Sequence, residues 1–175
     1  MKQHAALLII LALLVAGCAL SAKPEAMIST LRTQTHQSTS NVAVVVSEAT
    51  VVTKLQPVRI LDEDFAQAMR ESLEKTGLFA AVVAGNKAAY VLDVFFVQVY
   101  EQIFGLDMTA SLDVTYTLAS TTPKKALWEK TIHTEHTATF SDALISINRL
   151  QIAVEGAARR NIEQSIQEIS KLQLK

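Results

Sequence analysis

The feature that most constrains the fold is a strict alternation of apolar and polar side chains over residues 108–118. The apolar positions are Met108, Ala110, Leu112, Val114, Tyr116 and Leu118, and Thr, Ser or Asp residues separate them. Successive side chains of a β-strand point to opposite faces, so this pattern predicts a strand with one buried and one solvated face. A chain that contains such a strand needs further strands and a second layer to cover the apolar face.

Two more long strands are predicted around this one. Residues 89–101 are apolar on both sides at most positions, which is typical of a central strand. Residues 126–139 alternate again after the turn segment Thr121–Lys125. Three consecutive strands with short connections predict an antiparallel meander. Valine-rich residues 42–53 predict an earlier strand, and a brief one is expected at 80–84.

Two segments have apolar residues at helical spacing. The first is predicted over Glu63–Lys75, with Asp62 as its N-cap and Gly77 just after its end. The second follows a cap at Ser141 or Asp142 and has apolar residues every three or four positions almost to the end of the chain. The element order predicts an α+β fold, in which a mostly antiparallel sheet of four to five strands has two helices packed on one face.

A glycine lies in the middle of the second predicted helix. There Gly156 costs about 1 kcal/mol relative to alanine. It predicts either a close approach of the helix backbone to the sheet or a kink in the helix.

The chain opens with the apolar run 5–16 behind a short, positively charged start, which is the pattern of a secretory signal peptide. This run is too short to span a bilayer, which takes roughly 20 apolar residues. It ends in Leu14-Val15-Ala16-Gly17-Cys18, which resembles the lipobox of bacterial lipoproteins. The resemblance implies cleavage before Cys18 and acylation of that cysteine, and Ala19 after it implies transfer to the outer membrane. The alternative is an unmodified cysteine in an ordinary signal sequence or in a short N-terminal anchor.

These observations divide the chain into three parts. Residues 1–17 are expected to be the lipoprotein signal peptide, and 18–41 the lipidated cysteine with a flexible tether, because this stretch is polar and rich in small residues. A short strand around Met27–Leu31 is the alternative for part of this tether. Residues 42–175 are expected to form a single α+β domain on the periplasmic face of the outer membrane. Cys18 is the only cysteine, so neither a disulfide nor a cysteine-based zinc site is available.

Composition and motifs favour a non-enzymatic role without cofactors. The formal net charge of −1 does not suggest a nucleic-acid partner, and there is no nucleophile elbow, phosphate loop or dinucleotide fingerprint. His133 and Glu135 share a strand face, but a metal site needs three or four ligands, so we interpret them as surface polar residues and predict no metal. Arg149, Arg159 and Arg160 on the last helix are interpreted as a solvated face rather than an anion site.

The face of the sheet without helices is the candidate interaction surface. If both helices cover one face, the apolar residues predicted on the other need a partner, and these are Val91, Phe95, Val97 and Val99. Exposed apolar patches beyond a few hundred Å² usually mark interaction sites. We therefore expect this face to bind a protein partner, a second copy of the chain or an acyl chain.

With this architecture the chain resembles small outer-membrane lipoproteins of the YajG type. The resemblance rests on the lipobox, on the helix segment Phe65–Lys75 before the meander, and on Arg160-Asn161-Ile162 in the last helix. More distantly it is similar to accessory lipoproteins of envelope transport, whose first helix often ends like Gly77-Leu78-Phe79. The resemblance implies a non-enzymatic lipoprotein that uses its anchor to bind the membrane and acts as a binding or scaffolding module in cell-envelope maintenance or transport.

The alternative function is a lipid-handling protein or an enzyme-associated subunit. It requires an apolar pocket between sheet and helices, for which the candidate lining residues are Phe95, Phe96, Tyr100 and Phe104.

Overall fold

The computed structural model describes residues 20–32, 38–47, 56–85 and 87–174. The predicted signal peptide and Cys18 lie outside these ranges. In chain order the elements are β1 (Leu20–Ser21), α1 (Pro24–Met27), β2 (Asn41–Ser47), β3 (Val58–Arg59), α2 (Asp62–Thr76), β4 (Ala81–Val82), β5 (Tyr90–Gln102), β6 (Met108–Thr121), β7 (Lys124–Ala138) and α3 (Ser146–Ile169). Within the described ranges, no helix has both the length and the apolar composition needed to cross a bilayer.

The main sheet has five strands in the order β4-β2-β5-β6-β7. Strands β5, β6 and β7 form the predicted antiparallel meander. Strand β2 is parallel to both of its neighbours. This is possible because α2 returns the chain to the end of the sheet at which β2 begins. A separate two-stranded parallel sheet pairs β1 with β3. The predicted α+β fold is confirmed, with a mixed sheet.

Helix α2 extends one residue beyond the prediction at each end. Leu61 occupies the N-cap position without a side-chain cap, so the prediction of Asp62 as the cap was wrong. Asp62 instead lies in the first turn, where the helix dipole favours a negative charge. Gly77 ends the helix in the left-handed region with φ 63°, and its N–H donates to the carbonyl oxygens of Leu73 and Glu74. The predicted glycine at the C-terminal end of the helix is confirmed. Residues other than glycine rarely adopt this φ.

Helix α3 begins at Ser146, later than either predicted cap. Asp142 Oδ2 accepts hydrogen bonds from the Thr139 N–H at 2.7 Å and from the Thr139 hydroxyl at 2.8 Å. This carboxylate therefore closes a turn after β7 instead of capping the helix. Asp side chains often bond to nearby backbone N–H groups in turns in this way.

The two long helices cover one face of the sheet, where the core lies. Its fully buried members include Leu92, Leu112, Val114, Tyr116 and Leu118 of the sheet, Phe65, Met69 and Leu73 of α2, and Ile162 and Ile166 of α3. The rings of Phe65 and Phe96 meet edge to face with centroids 4.9 Å apart. We call this side the helix side and the opposite side the open face.

A buried polar network joins α3 to the sheet. The Tyr116 hydroxyl donates to Asn161 Oδ1 at 2.7 Å. Asn161 Nδ2 donates to Thr134 Oγ1 and to the Ile132 carbonyl, both at 2.9 Å. Burial raises the pKa of Tyr116 far above its usual value. Because each partner is buried, this network fixes the position of α3 along β6 and β7.

Gly156 faces the His136 side chain of β7. A Cβ atom at position 156 would overlap the His136 imidazole ring, which supports the close-approach interpretation of this glycine. Burial lowers the pKa of His136, and Arg160 and Arg159 lower it further against the opposing effect of Asp142. His136 Nδ1 has no hydrogen-bond partner among the described residues.

Residues 20–32 pack against the body of the domain, which differs from the flexible tether expected over 18–41. Ala22 and Met27 are 1% and 0% exposed, and α1 lies against both α2 and α3. The backbone N–H groups of Lys23 and Ser29 donate to the side chains of Glu155 and Ser72, each at 2.9 Å. Burial of two apolar side chains and these hydrogen bonds outweigh the polar composition on which the expectation was based.

Candidate functional site

The β6–β7 half of the open face is covered by polar side chains that satisfy one another. Cross-strand contacts of 2.7–2.8 Å join Thr109 to Thr137, Asp113 to His133 and Thr115 to Thr131. Glu135 lies on the same face, but no group of three potential metal ligands comes together in the part of the chain that the structure describes. This half has the properties of an ordinary solvated surface.

The β2–β5 half of the open face is apolar. Val45, Phe95 and Val97 are 47%, 40% and 40% exposed, and Val91 is half-buried beside them. We call Val45, Val91, Phe95 and Val97 the open-face strip. It is interrupted only by Asp93, which accepts a hydrogen bond from the Ser47 hydroxyl at 2.8 Å. The structure thus brings together three of the four predicted interaction residues and adds Val45, since the sequence did not reveal that β2 would lie next to β5.

Val99 lies on the helix side, so the expectation that it shares the open face was wrong. The register shifts between Phe96 and Gln98, and Val99 pairs with the buried Leu112 and packs against the core. A bulge adds one residue to β5 and reverses the direction of the side chains that follow it.

The four aromatic side chains proposed to line a lipid pocket do not converge. Phe96 is in the core, whereas Phe95 points to the open face. Tyr100 is 56% exposed on the open face, and Phe104 is 81% exposed in the β5–β6 loop. These positions give no support to the alternative function.

A shallow groove of about 770 Å³ lies at the end of the open face near the β6–β7 turn. Its lining includes Val91, Asp93, Ala119, Ser120, Thr121, Lys124 and Lys125. The hydroxyls of Ser120 and Thr121 donate to the carbonyl oxygens of Pro123 and Ala88 at 2.6 and 2.7 Å. These hydroxyls are therefore held by the backbone and are not oriented as nucleophiles.

A second exposed apolar surface lies at the opposite end of the sheet. Met108 pairs with Ala138, so the β5–β6 loop and the β7–α3 loop emerge side by side. Asp107 Oδ1 accepts a hydrogen bond from the Phe140 N–H at 3.1 Å and joins the two loops. The exposed residues are Ile103, Phe104, Leu106, Phe140, Leu144, Ile145 and Ile147, and we call them the apolar tip.

This surface was not predicted from the sequence. The alternation places Phe104 and Leu106 in a connection, where polar residues are the norm, whereas the predicted cap at Ser141 or Asp142 placed Leu144 and Ile145 in the first turn of the last helix. The available signal was the presence of Phe104 and Leu106 in that connection.

Arg149 supports the apolar tip from inside. It is 4% exposed, and its Nη1 donates to the carbonyl oxygens of Ala143 and Leu144 at 2.7 and 2.9 Å. Its guanidinium lies 5.3 Å from the centre of the Phe140 ring. The expectation of a solvated position for Arg149 was wrong, because the arginine satisfies carbonyl groups of the β7–α3 loop.

Glu101 lies on the helix side of β5 close to the tip, opposite Ala110. Burial raises the pKa of its carboxyl to about 7. The nearby Val58 backbone N–H lowers this pKa, but by a smaller amount. Neither carboxyl oxygen has a partner with good hydrogen-bond geometry among the described residues. The protonated form is therefore favoured in the folded protein.

Comparisons with known proteins identify the fold. Neither a protein-family model nor a curated protein sequence matches this chain. A solved structure from Xanthomonas campestris, of the family DUF330, is similar with a TM-score of 0.59, 10% identity, and coverage of 87% of this chain and 98% of that one. A minor lipoprotein from Acinetobacter baumannii has a TM-score of 0.52 at 13% identity, covering 75% and 92% of the two chains.

A third similar structure is a PelC dodecamer from Paraburkholderia phytofirmans. Its TM-score is 0.50 at 20% identity, and the match covers 82% of this chain and 96% of that one. The chain thus has a fold that is found in bacterial lipoproteins. At these identities the likeness concerns the fold, and the resemblance to the YajG type stays a prediction.

Proposed function

We propose that this chain is a non-enzymatic outer-membrane lipoprotein facing the periplasm, anchored through acylated Cys18. Its open-face strip binds another protein or a second copy of the chain, as a binding or scaffolding module in envelope maintenance or transport. The observation that carries this proposal is the exposure of Phe95 and Val97 on the helix-free face, next to a polar half whose groups are already paired.

The lipid anchor is supported by the sequence Leu14–Cys18 at the end of the apolar run. The minor lipoprotein of Acinetobacter baumannii shares the fold. Each buried CH₂ of a fatty acid contributes about 0.8 kcal/mol, and stable attachment takes at least two chains. A lipoprotein-type cysteine with its full set of acyl chains satisfies that requirement.

The open-face strip supports the binding role. Its members combine apolar side chains from two adjacent strands, whereas the neighbouring strands present hydroxyl and carboxylate groups. An apolar centre with a polar rim is the usual composition of a protein interface. Assembly of identical copies is one form that binding takes, and the PelC structure with this fold is a dodecamer.

Photo-crosslinking in cells tests the binding role. A photoreactive residue at Phe95 is expected to give a discrete crosslinked product, whereas one at Thr131 on the polar half of the same face is expected to give none. The product at position 95 should disappear when Val45 and Val97 are both replaced by serine. It should persist with Leu127→Ser, a matched control because Leu127 is 41% exposed on β7, away from the strip. Equal crosslinking at 95 and 131, or none at 95, contradicts the proposal.

A further inference from the structure

The apolar tip contains the most exposed large apolar side chains of the described residues. Phe104, Leu144 and Leu106 are 81%, 78% and 74% exposed, compared with 40% for Phe95 in the open-face strip. The other elements that the structure describes do not cover these side chains. A surface of this kind usually contacts a partner or a membrane.

The beginning of the described chain lies beside the tip. The Leu20 N–H donates to the Pro57 carbonyl oxygen at 3.1 Å. Pro57 lines a cleft of about 150 Å³ together with Ile103 and Ile147 of the tip. Leu20 is therefore held at the same end of the domain as the exposed loops.

The direction of the chain after Leu20 shows where the preceding residues come from. The Ser21 carbonyl accepts from Gln151 Nε2 at 3.0 Å, and the Lys23 N–H donates to Glu155 Oε1 at 2.9 Å. The chain thus runs along α3 away from its tip end, and Leu20 is the part of this segment that lies nearest the tip. Consecutive Cα atoms are 3.8 Å apart, so the Cys18 Cα lies within about 8 Å of the Leu20 Cα.

We propose that the apolar tip inserts into the lipid–water interface of the membrane that holds the acylated Cys18. This inference rests on the proposed function for the anchor. An acylated cysteine lies at the bilayer surface, and only two Cα steps separate it from Leu20 beside the tip, so the tip is held close to that surface. The occupant is lipid rather than protein, because the anchor brings the bilayer to this end of the domain. Phe, Leu and Ile side chains are suited to the boundary between headgroups and acyl chains.

The charges of the tip specify the lipid chemistry. Segments 103–107 and 139–147 contain no Lys or Arg. Their two carboxylates, Asp107 and Asp142, accept hydrogen bonds from the backbone N–H groups of Phe140 and Thr139, respectively. The guanidinium of Arg149 beneath the tip is buried and bonded to backbone carbonyls. Binding therefore depends on burial of apolar surface and not on attraction to anionic headgroups. Zwitterionic phospholipids suffice, and added salt has little effect.

Insertion of the tip orients the whole domain. Helix α3 begins at the tip, and its far end contacts β7 near Lys130 through Glu168. The long strands and α3 therefore extend away from the membrane, and the β6–β7 turn is the most distant part of the meander. Trp128 lies ten residues along β7 from Ala138, at a distance of about 33 Å.

Fluorescence quenching by brominated lipids tests this orientation. Trp128 is the only tryptophan, so the unaltered protein reports on the distal end. The acylated full-length mature protein is reconstituted into phosphatidylethanolamine vesicles with brominated acyl chains. In the variant with Phe104→Trp and Trp128→Phe, the tryptophan fluorescence is expected to be quenched by the brominated chains and its emission maximum to shift to shorter wavelength. Trp128 of the unaltered protein should show neither change. Intact mass on the same sample reports acylation.

A second measurement removes the anchor from the comparison. The mature chain with Cys18→Ser is expected to bind the same vesicles weakly through the tip alone. Replacing both Phe104 and Leu144 with serine should lower its partition coefficient about tenfold or more, since each loses a large exposed apolar side chain. Leu127→Ser at the distal end should leave the partition coefficient unchanged.

The outcomes separate the two proposals. An acylated protein whose Trp at position 104 is unquenched overturns the tip inference and leaves the anchor intact. A protein without acyl mass overturns the proposed anchor, and the Cys18→Ser partitioning then decides the inference by itself. Crosslinking between copies at position 104, with no quenching, shows that a second copy covers the tip and also overturns the inference.

Discussion

Replacing Asn161 with alanine tests whether the buried polar network fixes α3 on the sheet. The substitution removes the acceptor of the Tyr116 hydroxyl and the donor to Thr134 Oγ1, and all three residues are buried. Loss of the acceptor of a buried hydroxyl costs about 1–3 kcal/mol, and the other lost hydrogen bonds and the lost packing add to this. The better helix propensity of alanine returns about 0.6 kcal/mol. The net loss is expected to be about 3 kcal/mol.

Urea and thermal unfolding of the chain from residue 19 onward measure this loss. About 3 kcal/mol corresponds to a fall in Tm of about 6–12 °C for a domain of this size. Asn148→Ala on the exposed surface of the same helix is the matched control and should change the free energy of unfolding by less than about 0.5 kcal/mol.

A double-mutant cycle with Tyr116→Phe isolates the contact. Tyr116→Phe with Asn161→Ala should cost less than the sum of the single variants by about 1 kcal/mol or more, because the hydroxyl that would lose its acceptor is absent from the double variant. The reasoning is refuted if the two costs add, or if Asn161→Ala is no more destabilising than Asn148→Ala.

Three further predictions follow from buried positions. Gly156→Ala should lower the free energy of unfolding by about 1–2 kcal/mol in urea titrations, because the new methyl group overlaps His136, and His136→Ala in the same chain should remove most of this cost. Because folding raises the Glu101 pKa from 4.5 to about 7, the native state binds more protons between these values, so Tm should fall as pH rises through this window and Glu101→Gln should abolish that part of the decline. Met27→Ala should cost about 2–4 kcal/mol by chemical denaturation, whereas no measurable change would indicate that the N-terminal segment does not pack as described.

The sequence predicted the elements whose signal is a repeated local pattern. The alternation over 108–118 predicted β6 because one face of the sheet is buried and the other is solvated. The helical spacing before Gly77 predicted α2 because its apolar side chains face the sheet and the glycine permits the left-handed end. In both cases the apolar residues of one element repeat with the period of its buried face, so the pattern can be read from a short stretch of sequence.

The remaining features depend on contacts between distant segments. The bulge that turns Val99 to the helix side leaves no local mark in a strand that is apolar on both faces. Residues 20–32 have a polar composition, and the burial of Met27 follows only from the cleft between α2 and α3. The open-face strip was partly predicted, but Val45 joins it only because β2 is parallel to β5. Prediction of the apolar tip would have required the knowledge that the β5–β6 and β7–α3 loops emerge at the same end of the sheet.

Mass spectrometry of the N-terminal peptide of the protein extracted from cell envelopes tests the central claim most directly. The account predicts a mature chain that begins at Cys18 and carries acyl chains, and a Cys18→Ser variant that is neither cleaved at this position nor acylated. An N-terminal peptide that still contains residues 1–17, or one that begins at Cys18 with an unmodified thiol, would contradict it.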